Sequence, residues 1–429
     1  MHKKSSLIFA LSILFSVLLI FSCGQGAKTK GDEKVTIEFW HLDIDDTMAP
    51  VWEGLAADFM KANPNVTINI TVLENEAFKS KLTTVMQSGD PPDIFRSWGG
   101  GVMNDFAKSG LLRDITDEVK NNWSSKIGAG PIGVYSYKDK IYGLPYDMGG
   151  VGMWYNKELI AKVGYNEPPK TWSEFIDCVK KLKAAGVTPI ALGEGDKWPG
   201  HFWWVYLAVR LGGKEAFDAA VERTGSFKSE SFVKAGQLLK ELIDLKPFQE
   251  GFLSANYGGD QAGAMGNGKA AFELMGQWAP AVETAASEDG KGIGDKLGFM
   301  PFPAVEGGAG KITDVMGGGN GLVLGKNAPD ATIDFLKFLT SVESQKKIIT
   351  SPIGGIPTAL GAEEAMTDPN LIAVNKAVSQ AGYFQLYYDQ YLPPAVAAVV
   401  LDSTQALFAG TMTPEAVAAA VDKAYEDEM

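Results

Sequence analysis

Ten tryptophans stand in a chain of 429 residues, and several fall where an apolar run ends rather than inside one. Trp40-His41 closes the run that starts at Val35, Ser97-Trp98 follows residues 93–95, and Gln277-Trp278 follows Ala270–Met275. An indole offers a flat apolar face that suits the C–H faces of a pyranose or furanose ring, while carboxylates and amides bond the ring's hydroxyls. Asp147, between two apolar runs, is the candidate carboxylate; standing just before Gly149-Gly150, it equally suits a turn. Trp203 and Trp204 are adjacent, so on a helix they point about 100° apart and at most one can face a ligand. Trp52, Trp154 and Trp172 lie within apolar faces and read as core.

Other chemistries find little support. Gly263-Ala264-Met265-Gly266-Asn267-Gly268-Lys269 has the spacing of a phosphate loop, but Ala270 stands where a magnesium-binding Ser or Thr is needed, and the segment leads into a strand rather than out of one. Of the three histidines, His2 is in the leader, and neither His41 nor His201 sits in a metal-ligand pattern. There is no Gly-x-Ser-x-Gly elbow. No cofactor and no metal are expected.

The elements that must position these residues follow from periodicity. Val35, Ile37 and Phe39 alternate with Thr36, Glu38 and Trp40, the period of a strand. Met48, Val51, Trp52, Leu55 and Phe59 recur at helical steps until Asn63-Pro64. Val66, Ile68, Ile70 and Val72 form a second strand, Phe78, Leu82, Val85 and Met86 a second helix, and residues 93–95 a third strand. This alternation implies right-handed crossovers and a parallel sheet covered by helices on both faces, with ligands gathering at the carboxyl ends of its strands. Strands at 141–145 and 151–155 flank Tyr146-Asp147-Met148-Gly149-Gly150, read as a crossing to a second lobe, where the glycines permit backbone angles that other residues avoid. Thr171 and Glu174 form a capping box for a lobe-two helix, followed by a strand at 189–192. The glycine run at 317–321 feeds a strand and the helix Asp330–Leu339, read as a return toward lobe one. Pro393-Pro394 and Thr413-Pro414 open two late helices.

With 45% hydrophobic and 21% charged residues, the chain can fill one large or two medium domains. Its 39 basic against 52 acidic residues, a net charge of −13, argue against nucleic acid or an anionic membrane surface as the main partner. Lys3 and Lys4 precede an apolar run at 7–21 that is shorter than the roughly 20 residues of a membrane span and reads as a signal peptide. Residues 20–23 resemble a bacterial lipobox, with Phe21 where a smaller residue is usual: cleavage before Cys23 and lipidation of its thiol are expected. Residues 1–22 are then the signal peptide and 23–34 a lipidated polar tether. The protein is expected in the cell envelope, anchored to the membrane and facing the periplasm or exterior. Cys178, left without a disulfide partner, reads as a buried thiol.

One ordered set of motifs carries a family resemblance. It comprises Glu38-Phe39-Trp40-His41, Gly89-Asp90-Pro91-Pro92-Asp93-Ile94, Tyr142-Gly143-Leu144-Pro145-Tyr146-Asp147, Trp154-Tyr155-Asn156-Lys157-Glu158-Leu159, Pro169-Lys170-Thr171-Trp172-Ser173-Glu174-Phe175, Gly268-Lys269-Ala270-Ala271-Phe272, Gly276-Gln277-Trp278 and Gly354-Gly355-Ile356-Pro357. Together these resemble the bacterial extracellular solute-binding proteins of the carbohydrate-import type (family 1), over nearly all of the mature chain. The resemblance implies an α/β fold of the two-lobe, type II periplasmic-binding-protein kind, with a ligand cleft between the lobes and several crossings. Lobe one would be 35–146 plus 313–357 and lobe two 147–312 plus 358–429. It implies ligand contacts at Trp40, His41, Asp147, Trp278, Gly318 and Gly319, with Glu76 and Tyr388 as further candidates. The expected activity is capture of a mono- or oligosaccharide by a monomer that delivers it to the permease of an ABC importer, without catalysis. Two alternatives stay open: a secreted glycoside hydrolase, whose retaining form needs only two carboxyls about 5 Å apart, and the same fold binding ferric ion through Tyr387-Tyr388.

Overall fold

The computed structural model describes residues 34–429 except 45, 47, 124 and 128; the leader, Cys23 and nearly all of the tether lie outside the described residues. The strands are β1 (Val35–His41), β2 (Val66–Val72), β3 (Ile94–Ser97), β4 (Ser136–Tyr137), β5 (Lys140–Ile141), β6 (Gly143–Gly150), β7 (Gly152–Asn156), β8 (Thr188–Ile190), β9 (Ala270–Met275), β10 (Leu297–Met300), β11 (Val315–Leu324) and β12 (Phe384–Leu386). They form two main sheets and a small antiparallel pair, β4-β5. The first runs β12-β11-β3-β1-β2, with β6 also on β11, and the second runs β10-β7-β9-β8.

The amino-terminal half of the first sheet follows the alternating pattern: β1 is parallel to β2 and to β3. The helices Ala49–Ala62 and Asn75–Ser88 connect these strands. The expectation of a wholly parallel sheet fails at β11, which is antiparallel to both β3 and β6 although parallel to β12. The physical reason is connectivity. A strand that returns from another lobe is not fed by a helical crossover, so nothing compels it to run parallel. In the second sheet β7 is antiparallel to β9 and β10, while β8 is parallel to β9. Each sheet has its own apolar core. Ile37, Phe39, Trp52, Leu144 and Leu336 pack in the first lobe, and Trp154, Phe175, Trp203, Phe272 and Val400 in the second.

Chain crosses between the lobes with little slack. Only Val151 separates β6 from β7, the segment between β10 and β11 returns, and the chain crosses again after Ile353. The glycines at the crossing are strand residues: Gly317 pairs with Gly150, Gly318 with Gly149 and Gly319 with Met148, and none has a left-handed φ. Close approach, not backbone freedom, requires them. A Cβ on Gly149 would lie 2.2 Å from the Gln277 side chain, one on Gly317 2.2 Å from the Gly149 carbonyl, and one on Gly318 2.3 Å from the Tyr387 ring.

The helix Trp198–Val221 runs through the second lobe and is broken at Gly213, whose φ of 64° is one that glycine adopts readily. From it, fully buried Arg210 reaches the second crossing segment. Its guanidinium donates to the carbonyls of Phe302 (2.8 Å), Pro303 (3.2 Å), Ile312 (3.2 Å) and Asp314 (2.8 Å) and lies over the Tyr206 ring. Replacing Arg210 with Ala would strand buried carbonyls in the segment that leads into β11. We expect a loss of at least about 3 kcal/mol in chemical denaturation; a change below about 1 kcal/mol would show that the segment holds itself.

Candidate functional site

The second lobe builds one aromatic wall. Trp278, half-buried, stands at the start of the helix Ala279–Ala286, directly after β9. Trp198 lies 6.3 Å from it and Tyr387 6.4 Å, measured between ring centroids. Tyr257 meets Trp198 at 5.0 Å, and Phe202 stacks on Tyr387 at 5.2 Å. Among these rings, buried polar atoms lack hydrogen-bond partners: Trp198 Nε1, Tyr387 Oη and, beside Trp278, Gln277 Oε1. Flat apolar faces interleaved with unmet donors and acceptors suit a polyol better than a hydrocarbon.

On the first lobe a polar cluster gathers at the tips of β1 and β3. Asp43 accepts from Trp52 Nε1 at 2.6 Å and lies 3.4 Å from Arg96 Nη1. Arg96 sits over the Tyr146 ring, and both Arg96 Nε and Tyr146 Oη lack partners. Burial pushes the His41 imidazole down to about 4, against the pull of Asp43. The ring is therefore neutral: Nδ1 accepts the Asp43 N–H at 3.3 Å, and Nε2 carries the remaining proton without a partner. Trp98 is half-buried against Phe78, with Lys79 Nζ 5.6 Å from its ring, and exposed Glu76 pairs with Lys79 at 2.8 Å. Trp40, also half-buried, has Lys81 Nζ over its ring at 4.9 Å. Charges of the first lobe reach the second. After burial itself, Glu76 and Glu74 add to what holds the Asp196 carboxyl above its ordinary range.

Asp147 joins the two halves. Its Oδ2 accepts Gln277 Nε2 and Asn320 Nδ2, each at 2.6 Å, and its Oδ1 accepts the Ile356 N–H at 2.7 Å. Burial holds its carboxyl above the ordinary range, and these donors and the Arg96 charge work against that.

Several sequence expectations are corrected by these positions. Asp147 is expected to bond a ligand, but its oxygens are engaged by protein donors at the crossing. Trp203 and Trp204 are both fully buried, packed on Phe175 and Phe302 and on Phe232 and Tyr388 respectively. Every residue from Trp198 to Arg210 of the helix that carries them is buried, so neither faces the gap. Tyr388 is buried as well, stacked on Phe217 at 4.8 Å, while its neighbour Tyr387 occupies the wall. His41 is fully buried with Phe39 and Trp52 because alternate residues of β1 point into the core and 41 shares the phase of 37 and 39. Gly318 and Gly319 are buried strand residues that admit the Tyr387 ring and the Met148 sulfur. Trp278, Trp40, Trp98 and Glu76 remain accessible. Asp43, Arg96, Tyr146 and Trp198 are not among the site residues expected from sequence, and Tyr387 is named there only with Tyr388 in the ferric-ion alternative. A signal existed only for Trp198, which precedes Pro199 at a helix start.

A carboxyl pair lies behind the wall. Gln261 Nε2 donates to Glu273 at 3.0 Å, and Glu273 and Glu283 share a hydrogen bond, so one of them carries a proton. Both are buried, at 0% and 1% exposure, which keeps them from any bond of a molecule in the gap. An apolar recess of about 260 Å³ opens elsewhere, behind the crossing and lined by Gly150, Val151, Tyr206, Phe299, Val315 and Val374. It contains none of the residues of the wall.

A profile of the bacterial extracellular solute-binding proteins matches residues 45–346. The multiple sugar-binding protein of Streptococcus mutans is 25% identical over 396 residues, covering 86% of this chain and 85% of that protein. The maltotriose-binding protein of Pyrococcus abyssi is 25% identical over 366 residues, covering 84% and 73%. Among solved structures, a chitin oligosaccharide binding protein is similar with a TM-score of 0.84 at 26% identity, covering 92% of this chain and 98% of the other. A structure from work on xylan utilization by Caldanaerobius polysaccharolyticus has a TM-score of 0.83 at 28% identity, covering 90% and 99%.

The acid pair sets a pH dependence. Burial pushes Glu273 up to about 7 and Glu283 well above the ordinary 4.5. Unfolded glutamates ionise from about pH 4.5 while the folded pair keeps its proton, so this contribution to stability declines as pH rises from 4.5 through 7. We expect Glu283→Gln to be more stable than the parent at pH 8 by about 1–3 kcal/mol and to differ little at pH 4.5, as read by denaturant unfolding at the two pH values. Equal differences at both would show that the pair does not hold a proton.

Proposed function

The chain belongs to the bacterial extracellular solute-binding protein family, and from that premise we propose that it is the sugar-binding subunit of an ABC importer, holding a mono- or oligosaccharide between its lobes and delivering it to the membrane permease. The observation that carries this reading is the wall of Trp278, Trp198 and Tyr387, whose unpartnered Trp198 Nε1, Tyr387 Oη and Gln277 Oε1 sit beside stacking faces. The relatives named for maltotriose, multiple sugars and chitin oligosaccharides support it. In this reading a sugar ring stacks on Trp278, and its hydroxyls meet the wall's free polar atoms. The first lobe contributes Trp98, Trp40 and Glu76 with Asp43, Arg96 and Tyr146.

Binding then works by closure. The lobes turn about the crossings, and a sugar touching both favours the closed arrangement by the contacts it gains there. An affinity near micromolar corresponds to about 8 kcal/mol, within reach of one stacked ring and several hydroxyl bonds. Turnover has no support in the site, since the proton-sharing carboxyls Glu273 and Glu283 are sealed behind the wall. A lipid on Cys23, with the polar tether after it, would hold the monomer at the membrane on the periplasmic or outer side, within reach of the permease.

A thermal-shift screen with mono- and oligosaccharides built from xylose, glucose, galactose and N-acetylglucosamine tests the reading, because a ligand of the folded state raises its apparent stability. With the sugar so found, Trp278→Ala is expected to weaken binding by about tenfold to a hundredfold in calorimetry, the scale of one lost stacking face. Wild-type affinity in that variant would remove Trp278 from the site, and a flat screen across all sugars would count against a carbohydrate ligand.

A further inference from the structure

We propose that Lys197 is a positioning residue for the ligand: its strained backbone fixes how Asp196 and Trp198 diverge, and stability is given up there to keep the aromatic wall set. The affinity half of this inference rests on the sugar-binding reading; the strain does not. Lys197 stands immediately before the helix Trp198–Val221, with φ 65° and ψ −43°. A positive φ is uncommon for a residue with a side chain. This ψ also lies outside the small left-handed basin, near the γ-turn form that is rare and strained. Among the described residues, four other non-glycine residues have a positive φ. Lys138 and Asp139 make the turn between β4 and β5, and Arg223 and Lys246 follow the carboxyl ends of helices, places where left-handed backbone is ordinary. Of the five, only Lys197 adopts it at a helix start.

Lysine is a poor choice at that position on other counts. A helix start favours a side chain that accepts a backbone N–H, and a cation there opposes the helix dipole. Lys197 makes no such cap bond. Its Nζ pairs with Asp402 at 2.6 Å, but both side chains are exposed, so the pair contributes little. Glycine would relieve the backbone, yet the neighbouring glycines serve another purpose. Gly193, Gly195 and Gly200 all lack a left-handed φ; what they provide is room. A Cβ on Gly193 would lie 2.6 Å from the Asn256 carbonyl carbon, one on Gly195 2.8 Å from the Ala255 carbonyl oxygen, and one on Gly200 1.8 Å from the Glu194 carboxyl. The turn is thus pressed between residues 254–257 and the start of the helix, and Lys197 takes up the angle that remains.

Both flanks of Lys197 belong to the wall. On one side Asp196 Oδ2 accepts the Tyr257 N–H at 2.7 Å, and the Gly195 N–H donates to the Ala255 carbonyl at 2.9 Å. On the other, Trp198 meets Tyr257 at 5.0 Å, Phe202 at 5.5 Å and Trp278 at 6.3 Å, with its Nε1 unpartnered. Beneath the turn, the Glu194 carbonyl accepts both the Lys197 N–H at 3.1 Å and Gln405 Nε2 at 2.8 Å. For Lys197 to relax, either Asp196 must release Tyr257 or Trp198 must swing out of its stack. Strained backbone persists only where its surroundings over-determine it, and such residues gather at sites that bind. A ring set in advance costs a ligand less to engage, because the ordering is already done.

Comparing Lys197→Gly with Lys197→Ala in the mature protein isolates the backbone, because both variants lack the bond to Asp402. Without sugar, Lys197→Gly should melt about 1–4 °C above Lys197→Ala in calorimetry. Glycine reaches these angles with less strain, and the freedom it adds to the unfolded chain offsets only part of that gain. With fluorotryptophan incorporated and the signal assigned through Trp198→Phe, the fluorine resonance of Trp198 should shift or broaden in Lys197→Gly relative to Lys197→Ala. With a sugar found in the screen, Lys197→Gly should bind about threefold to tenfold more weakly than Lys197→Ala. A residue with a merely structural role would gain stability without losing affinity. A Lys197→Gly protein that melts no higher than Lys197→Ala overturns the strain. One that melts higher but matches Lys197→Ala in the Trp198 resonance and in affinity overturns the positioning role. If no sugar binds either variant or the parent, the sugar reading fails, while melting and the fluorine spectra still decide whether Lys197 is strained and sets Trp198.

Discussion

A buried carboxylate answered by donors from three different segments ties this molecule together. Moving Asp147 out of water is costly, and the cost is offset only while each oxygen is met. Asn320 from β11, Gln277 at the end of β9 and the Ile356 N–H from the last crossing do this at 2.6, 2.6 and 2.7 Å. Two of these segments connect the lobes, and the third leads directly to Trp278. The ring that faces the gap therefore takes its position from the same carboxylate that registers the crossing. Glycines make the arrangement possible: the Gln277 side chain occupies the space that a Cβ on Gly149 would fill.

Around that point the two lobes divide the work. The second lobe presents aromatic faces backed by buried acids whose charge is suppressed, Glu194 against the start of one helix and the proton-sharing Glu273 and Glu283 behind Tyr257 and Trp278. The first lobe presents a charged cluster, Asp43 and Arg96, with neutral His41 and Tyr146 beside it. A sugar has this same double character, with apolar C–H faces and a rim of hydroxyls. An aromatic wall opposed by a polar one can engage both aspects at once, and only when the lobes are close, which links recognition to closure.

Local elements were widely legible. The alternation at 35–41 and 66–72, the helical spacing from Met48 to Phe59, and the capping box of Thr171 and Glu174 are all found where the residues place them. They depend on near neighbours in the chain, whose geometry is set by the period of a strand or a helix turn. The burial of His41 was legible too, since it shares the phase of Ile37 and Phe39. The direction of β11 was not, because antiparallel pairing with β3 and β6 depends on where the chain has been between residues 97 and 315. The fate of Trp203 and Trp204 was hidden for a like reason. The stretch of helix from Trp198 to Arg210 is buried on every side and has no outer face, and its enclosure comes in part from helices about 30 and 200 residues distant.

By itself, then, the order of residues determined the local elements, the two-lobe α/β class through its ordered motifs, and the types of group from which the gap is made. Tertiary structure decided which of those groups reach it. It drew Asp147 inward to hold the crossing, buried Tyr388 and turned Tyr387 into the wall, and brought Trp198 beside Trp278 across 80 residues of chain. The difference is one of range. Periodicity and capping act within a few residues, whereas burial is settled by whatever the rest of the chain lays against a side chain, and no short window of sequence contains that partner.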